Sequence, residues 1–100
     1  MVKEGDLLAV FNSSHRVMKA ESVLKTLGLM ILLIPAPRQL LADCGLAIRF
    51  KEDEQSRIME CLEFEQLLPA FVCRFEEGKY NTVWISEDPD FNHERAEEML

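Results

Sequence analysis

Short apolar runs that alternate with two segments of helical periodicity constrain the fold of this chain more than any other feature. Glycine, proline or polar residues bound each run, which is typical of strands. We expect strands at 6–11, 29–34, 44–50, 70–75 and 82–85, with helices beginning at Ser13 or Ser14 and at Asp53 or Glu54. This β-α-β-β-α-β order with an added C-terminal hairpin strand predicts an α+β, ferredoxin-like sandwich. In such a fold an antiparallel sheet carries both helices on one face.

Composition and charge limit the class of protein. The chain has 100 residues, 48% of them hydrophobic, so we interpret 1–100 as a single domain with an acidic tail at 86–100. The net charge of −7 argues against nucleic acid or an anionic membrane as partner. The apolar run 27–34 is too short to span a bilayer and predicts a buried strand. An odd cysteine count and the absence of a secretory signal pattern favour reduced thiols in the cytoplasm.

Cys44 is the first candidate for chemistry. It follows an irregular loop that contains Pro35, Pro37 and Arg38, and it precedes Gly45 at the expected start of a strand. A loop-to-strand junction can expose a thiol while the sheet holds it, and a nearby cation or helix N-terminus favours the thiolate. Gly45 would let a backbone or a ligand approach closely. The alternative is that Cys44 is a small apolar packing residue.

The segment Asn12-Ser13-Ser14-His15-Arg16 is the second candidate. Free N–H groups at a helix start can bind an anion, and hydroxyl, imidazole and guanidinium groups lie in the same segment. If the first and third strands are antiparallel neighbours, this segment approaches Cys44. The alternative is that the serines cap the helix and His15 faces solvent.

The other cysteines, Cys61 and Cys73, fit packing positions within apolar patterns. With His15 and His93 they include no closely spaced ligand pair, so we expect no metal site. The chain also has no glycine-rich phosphate loop, and we expect no cofactor.

Three segments resemble the selenium/sulfur (Se/S) carrier protein-like family. They are the helix entry 11–17 with Ala20-Glu21, the strand end Leu33-Ile34-Pro35-Ala36-Pro37-Arg38, and Cys44-Gly45-Leu46-Ala47-Ile48-Arg49-Phe50. The resemblance runs from about Asp6 to Leu68. Two stretches depart from the family pattern: residues 39–43 are more apolar than expected, and the part after Leu68 is longer.

The resemblance implies that Cys44 carries sulfur or selenium, taken from a donor protein and passed to an acceptor protein. In that reading Arg38 favours the thiolate, and Ser14 and His15 position an anionic group. The chain would then be a carrier more than a true enzyme. Two alternatives are a non-catalytic protein-interaction module, in which Cys44 is incidental, and a small-anion-binding domain at the Ser13-Ser14 helix start. An edge strand at 82–85 would also allow a homodimer.

Overall fold

The computed structural model describes residues 2–87, so His93 and most of the expected acidic tail at 86–100 lie outside the described residues. The chain folds as an α+β domain with a five-stranded antiparallel sheet and two helices. The strands are β1 (Leu7–Val10), β2 (Ile31–Pro35), β3 (Leu46–Phe50), β4 (Phe71–Glu76) and β5 (Lys79–Ile85). The helices are α1 (Ser14–Thr26) and α2 (Gln55–Phe64), with short 3₁₀ turns at Arg38–Leu40 and Glu52–Glu54.

The strands follow the order β2-β3-β1-β4-β5, which differs from a simple four-strand ferredoxin-like sheet because β5 is added beyond β4. In the centre, Leu7 pairs with Phe50 of β3 and with Arg74 of β4. All four residues of β1 are buried, as the continuous apolar run at this position predicts. The order of helices and strands along the chain confirms the predicted β-α-β-β-α-β order with an added C-terminal strand.

Both helices pack against the same face of the sheet. The core joins alternate residues of the strands to the apolar stripes of the helices, and its members include Leu7, Ala9, Ile48, Phe50, Val72, Val17, Ala20, Leu24, Ile58 and Leu62. Gly28, at φ 77°, ends α1 in the left-handed conformation that glycine adopts without strain. Leu27 is the C-cap of α1 and is exposed.

Candidate functional site

Cys44 lies between the 3₁₀ turn at Arg38–Leu40 and the start of β3. Its side chain is partly buried and packs against the edge of the core. The Sγ atom lies 3.2 Å from the carbonyl oxygen of Phe11 and 3.2 Å from that of Leu46. A carbonyl can only accept, so the thiol S–H is the donor, and one proton is shared between two acceptors. The sulfur is thus held between the end of β1 and the beginning of β3.

Two strands end beside this cysteine. Val10 of β1 pairs with Ala47, and Pro35 of β2 pairs with Leu46. Beyond the last pair of β2, the Ala36 N–H donates to the Gly45 carbonyl oxygen at 2.9 Å. The loops that follow β1 and β2 therefore flank Cys44, and its hydrogen bond on the β1 side is to Phe11, which precedes the segment 12–16.

Gly45 has a left-handed backbone conformation, with a φ of 72°. Its N–H closes a turn by donating to the Ala42 carbonyl oxygen. A Cβ added to it would meet nothing within 4 Å, so no neighbouring part of the chain requires the missing side chain. The backbone conformation by itself favours glycine at this position.

Ser13 is the N-cap of α1. The Ser13 Oγ accepts a hydrogen bond from the Arg16 N–H at 3.1 Å, which is the capping role that the sequence left as one alternative. Ser14 and His15 occupy the first turn with exposed side chains. Within residues 2–87, the hydrogen bonds of Cys44 go to Phe11 and Leu46 and not to either of these residues.

Arg16 binds the backbone that follows α2. Its Nη2 donates to the carbonyl oxygens of Gln66 at 3.2 Å and Leu68 at 3.4 Å. Both acceptors follow α2, so this guanidinium fastens the start of α1 to the segment that leads into β4. These two hydrogen bonds stabilise the packing of α1 against the segment that follows α2.

Arg38 is exposed at the start of the 3₁₀ turn, two residues beyond Ala36. No hydrogen bond or ion pair in the described part of the chain joins it to Cys44. Leu41, at φ 49°, is 87% exposed and so does not cover the sulfur, whereas Leu40 is half-buried. The loop therefore exposes the Leu41 side chain to solvent and places Arg38 three residues after the end of β2.

The other two thiols lie in less favourable surroundings for ionisation. Burial and the nearby Glu65 carboxylate raise the pKa of Cys61. Burial also raises the pKa of Cys73, against a smaller opposing effect from the Thr82 hydroxyl. No group of acidic, histidine and cysteine side chains within residues 2–87 is arranged to hold a metal ion.

A cluster that the sequence analysis missed surrounds Asp6. This carboxylate is buried, and it accepts from the Lys51 Nζ at 2.8 Å and from the Lys3 N–H at 2.9 Å, with the Arg49 Nε at 3.7 Å. Antiparallel pairing of Leu7 with Phe50 places residue 6 opposite residue 51, so the register would have revealed the pair. The cluster ties the chain start to the end of β3, at the opposite end of that strand from Cys44.

A broad groove elsewhere is lined by residues that include Arg16, Leu68, Trp84 and Glu87. It contains no thiol. Its lining includes Glu87, the last residue that the structure describes, and we assign it no site.

A family model described as "Putative Se/S carrier protein-like" matches residues 6–74. The chain belongs to the Se/S carrier protein-like family. The matched region contains Cys44 and both loops that flank it. No curated protein and no solved structure gives a significant match. No helix within residues 2–87 is long and apolar enough to cross a membrane.

Proposed function

We propose that this member of the Se/S carrier protein-like family carries sulfur or selenium on Cys44, with a ferredoxin-like sandwich as the scaffold. The observation that carries the proposal is the position of the thiol, which two loops flank at one end of the sheet. Cys61 and Cys73 are disfavoured because burial raises the pKa of each. Membership of the Se/S carrier protein-like family supports sulfur or selenium as the cargo.

The transfer is a displacement at sulfur. The Cys44 thiolate attacks the terminal sulfur of a persulfide on a donor protein, and a bond forms between Sγ and that sulfur. The sulfur–sulfur bond of the donor breaks, and its electron pair leaves with the donor cysteine as a thiolate. The proton released from Cys44 goes to solvent or to the departing thiolate. An acceptor thiolate then attacks the terminal sulfur of the Cys44 persulfide, and Cys44 leaves as a thiolate. A donor that holds selenium as the terminal atom of a selenopersulfide transfers it by the same displacement.

In the resting site the Cys44 thiol donates its proton to the carbonyl oxygens of Phe11 and Leu46. When the thiolate forms, nearby positive groups stabilise it. Our candidates are Arg38, six residues before Cys44, and the N–H groups of the Ser13-Ser14 helix start, with His15 beside them. In our proposal Arg38 favours the thiolate, and Ser14 and His15 position the anionic adduct.

The small-anion-binding alternative has less support than the carrier. The Ser13 hydroxyl caps α1 and the Arg16 guanidinium binds two carbonyl oxygens, so two groups of the expected anion site already have partners. The interaction-module alternative differs from the carrier in one measurable property, which is the reactivity of Cys44.

We expect Cys44 to react with a thiol-alkylating reagent faster than Cys61 or Cys73 in the folded protein. Its sulfur lies at a loop junction, and the other two thiols have raised pKa values, which lower their thiolate fractions. Timed alkylation under native conditions, followed by peptide mass mapping, measures the three rates in one sample. The urea-unfolded chain is the control, because there the three rates should converge. Native modification of Cys44 no faster than of Cys61 or Cys73 would remove the physical basis of the carrier and favour the interaction module.

A further inference from the structure

The most apolar segment of the chain lies at an edge of the sheet. The run 27–34 predicted a buried strand, and that prediction is wrong: no residue of β2 is fully buried, and within residues 2–87 the strand pairs with β3 alone. Leu32 is 46% exposed, and Met30, just before the strand, is 75% exposed. An apolar pattern suited to an interior strand thus occupies a position that leaves one side unpaired.

The two edge strands of the sheet differ in how they are protected. The β5 strand contains Lys79, Asn81 and Thr82, and its pairing with β4 is irregular between Val72 and Cys73. Charged residues and bulges of this kind hinder edge-to-edge pairing. The β2 strand has neither feature, since its sequence is Ile-Leu-Leu-Ile-Pro. Of the two edges, β2 is therefore the better template for another strand.

The direction of the free backbone groups follows from the pairing of β2 with β3. Ala36 donates to Gly45, so Ala36 directs its N–H toward β3. Because this direction alternates along an antiparallel strand, Ile34 and Leu32 also face β3. Ile31, Leu33 and Pro35 then face outward, and proline at the last of these positions has no N–H to leave unpaired.

We propose that a second copy of this chain pairs with β2 in an antiparallel arrangement about a two-fold axis at Leu33. The two Leu33 residues exchange N–H to carbonyl hydrogen bonds, and each Ile31 N–H donates to the Pro35 carbonyl oxygen of the other copy. Every outward N–H of the strand then has an acceptor, whereas the Ile31 carbonyl oxygen faces Pro35 of the other copy and gains no donor from it. The result is one continuous ten-stranded sheet.

The side chains fit the same register. Leu32 and Ile34 lie on the sheet face away from the helices, because their β3 partners are Arg49 and Ala47 rather than the core residues. Pairing about Leu33 places Leu32 of one copy opposite Ile34 of the other, an apolar cross-strand pair. It also brings the exposed Met30 of one copy beside Ala36 of the other, at the loop that flanks Cys44.

Charge selects a second copy over a different partner. The chain has a net charge of −7, yet β2 contains no charged residue, so two copies pair here without placing like charges opposite each other. A basic partner would find no acidic side chain on this strand. An uncharged strand that complements itself is what an isologous two-fold interface requires.

Sedimentation velocity of the full chain from micromolar to millimolar concentration tests the proposal. We expect the wild type to reach twice the monomer mass of 11.5 kDa. A Leu32→Lys variant should weaken the dimer at least about tenfold, because it puts a charge on the paired edge. The matched control is Val83→Lys, which places the same charge at a similarly exposed position on β5 and should leave the dimer intact.

Circular dichroism and thermal melting check that both variants fold. We expect both to fold, because both substituted positions are exposed. A monomeric wild type throughout the concentration range would overturn the proposal without reference to any variant. A dimer that Leu32→Lys leaves unchanged would also overturn it. Dissociation by Val83→Lys would assign the interface to the β5 edge instead. The outcome is independent of whether Cys44 carries sulfur.

Discussion

Replacement of Asp6 by alanine is expected to lower the free energy of unfolding by about 2 kcal/mol, because hydrogen bonds to a buried carboxylate are lost. Asp6 is 1% exposed and binds Lys51, the Lys3 N–H and, at longer range, Arg49. Urea unfolding at neutral pH, followed by circular dichroism, measures the change. Asp43→Ala is the matched control, since it removes the same group from an exposed position. We expect that control to change the free energy by less than about 0.5 kcal/mol. Equal effects from the two variants would show that the cluster does not stabilise the fold.

The same carboxylate predicts a dependence of stability on pH. Burial alone would raise the pKa of Asp6, but the hydrogen bonds from Lys51 and the Lys3 N–H and the charges of Lys51 and Arg49 hold it below its ordinary value of 3.8. A carboxylate with a lowered pKa in the folded state stabilises the fold above its unfolded pKa. That contribution is lost as the pH falls through the folded value. The stability difference between wild type and Asp6→Asn should therefore be constant near neutral pH and shrink below about pH 4. A difference that does not change down to about pH 2 would contradict this account.

Replacement of Cys44 by serine is expected to abolish sulfur loading of the chain. Serine is close to cysteine in size, and its O–H can donate to the same carbonyl oxygens of Phe11 and Leu46, so the fold should persist while the nucleophile is lost. Loading by a cysteine desulfurase with cysteine, measured as sulfur transferred per chain, is the readout. The matched controls are Cys61→Ser and Cys73→Ala, which should load as the wild type does. Loading that survives in the Cys44→Ser variant would place the cargo on another group.

The sequence was sufficient for the order of the elements and for the antiparallel pairing of β1 with β3. Apolar runs and helical stripes predicted the strands and helices, because burial of one face imposes these periods on a chain. The expectation that β1 and β3 are antiparallel neighbours is confirmed by the pairing of Val10 with Ala47. That pairing explains why Phe11 reaches Cys44, although the two residues are distant along the chain.

Other features depend on information that a periodic pattern does not contain. The run 27–34 is apolar on both faces, and nothing in such a run distinguishes an interior strand from an edge strand that another chain covers. The roles of Gly45 and Arg16 depend on a backbone angle and on two carbonyl oxygens that only the folded chain brings into place. The partners of Asp6 follow from the register of β1 against β3, which the sequence alone does not fix.

The most direct test of the carrier is to locate the sulfur on the wild-type chain. After incubation with a cysteine desulfurase and cysteine, the intact mass should rise by one sulfur atom, and reductant should reverse the gain. Digestion after alkylation of the persulfide should then place the added sulfur on the peptide that contains Cys44. Sulfur found on Cys61 or Cys73 instead, or an intact mass that does not change, would contradict the account.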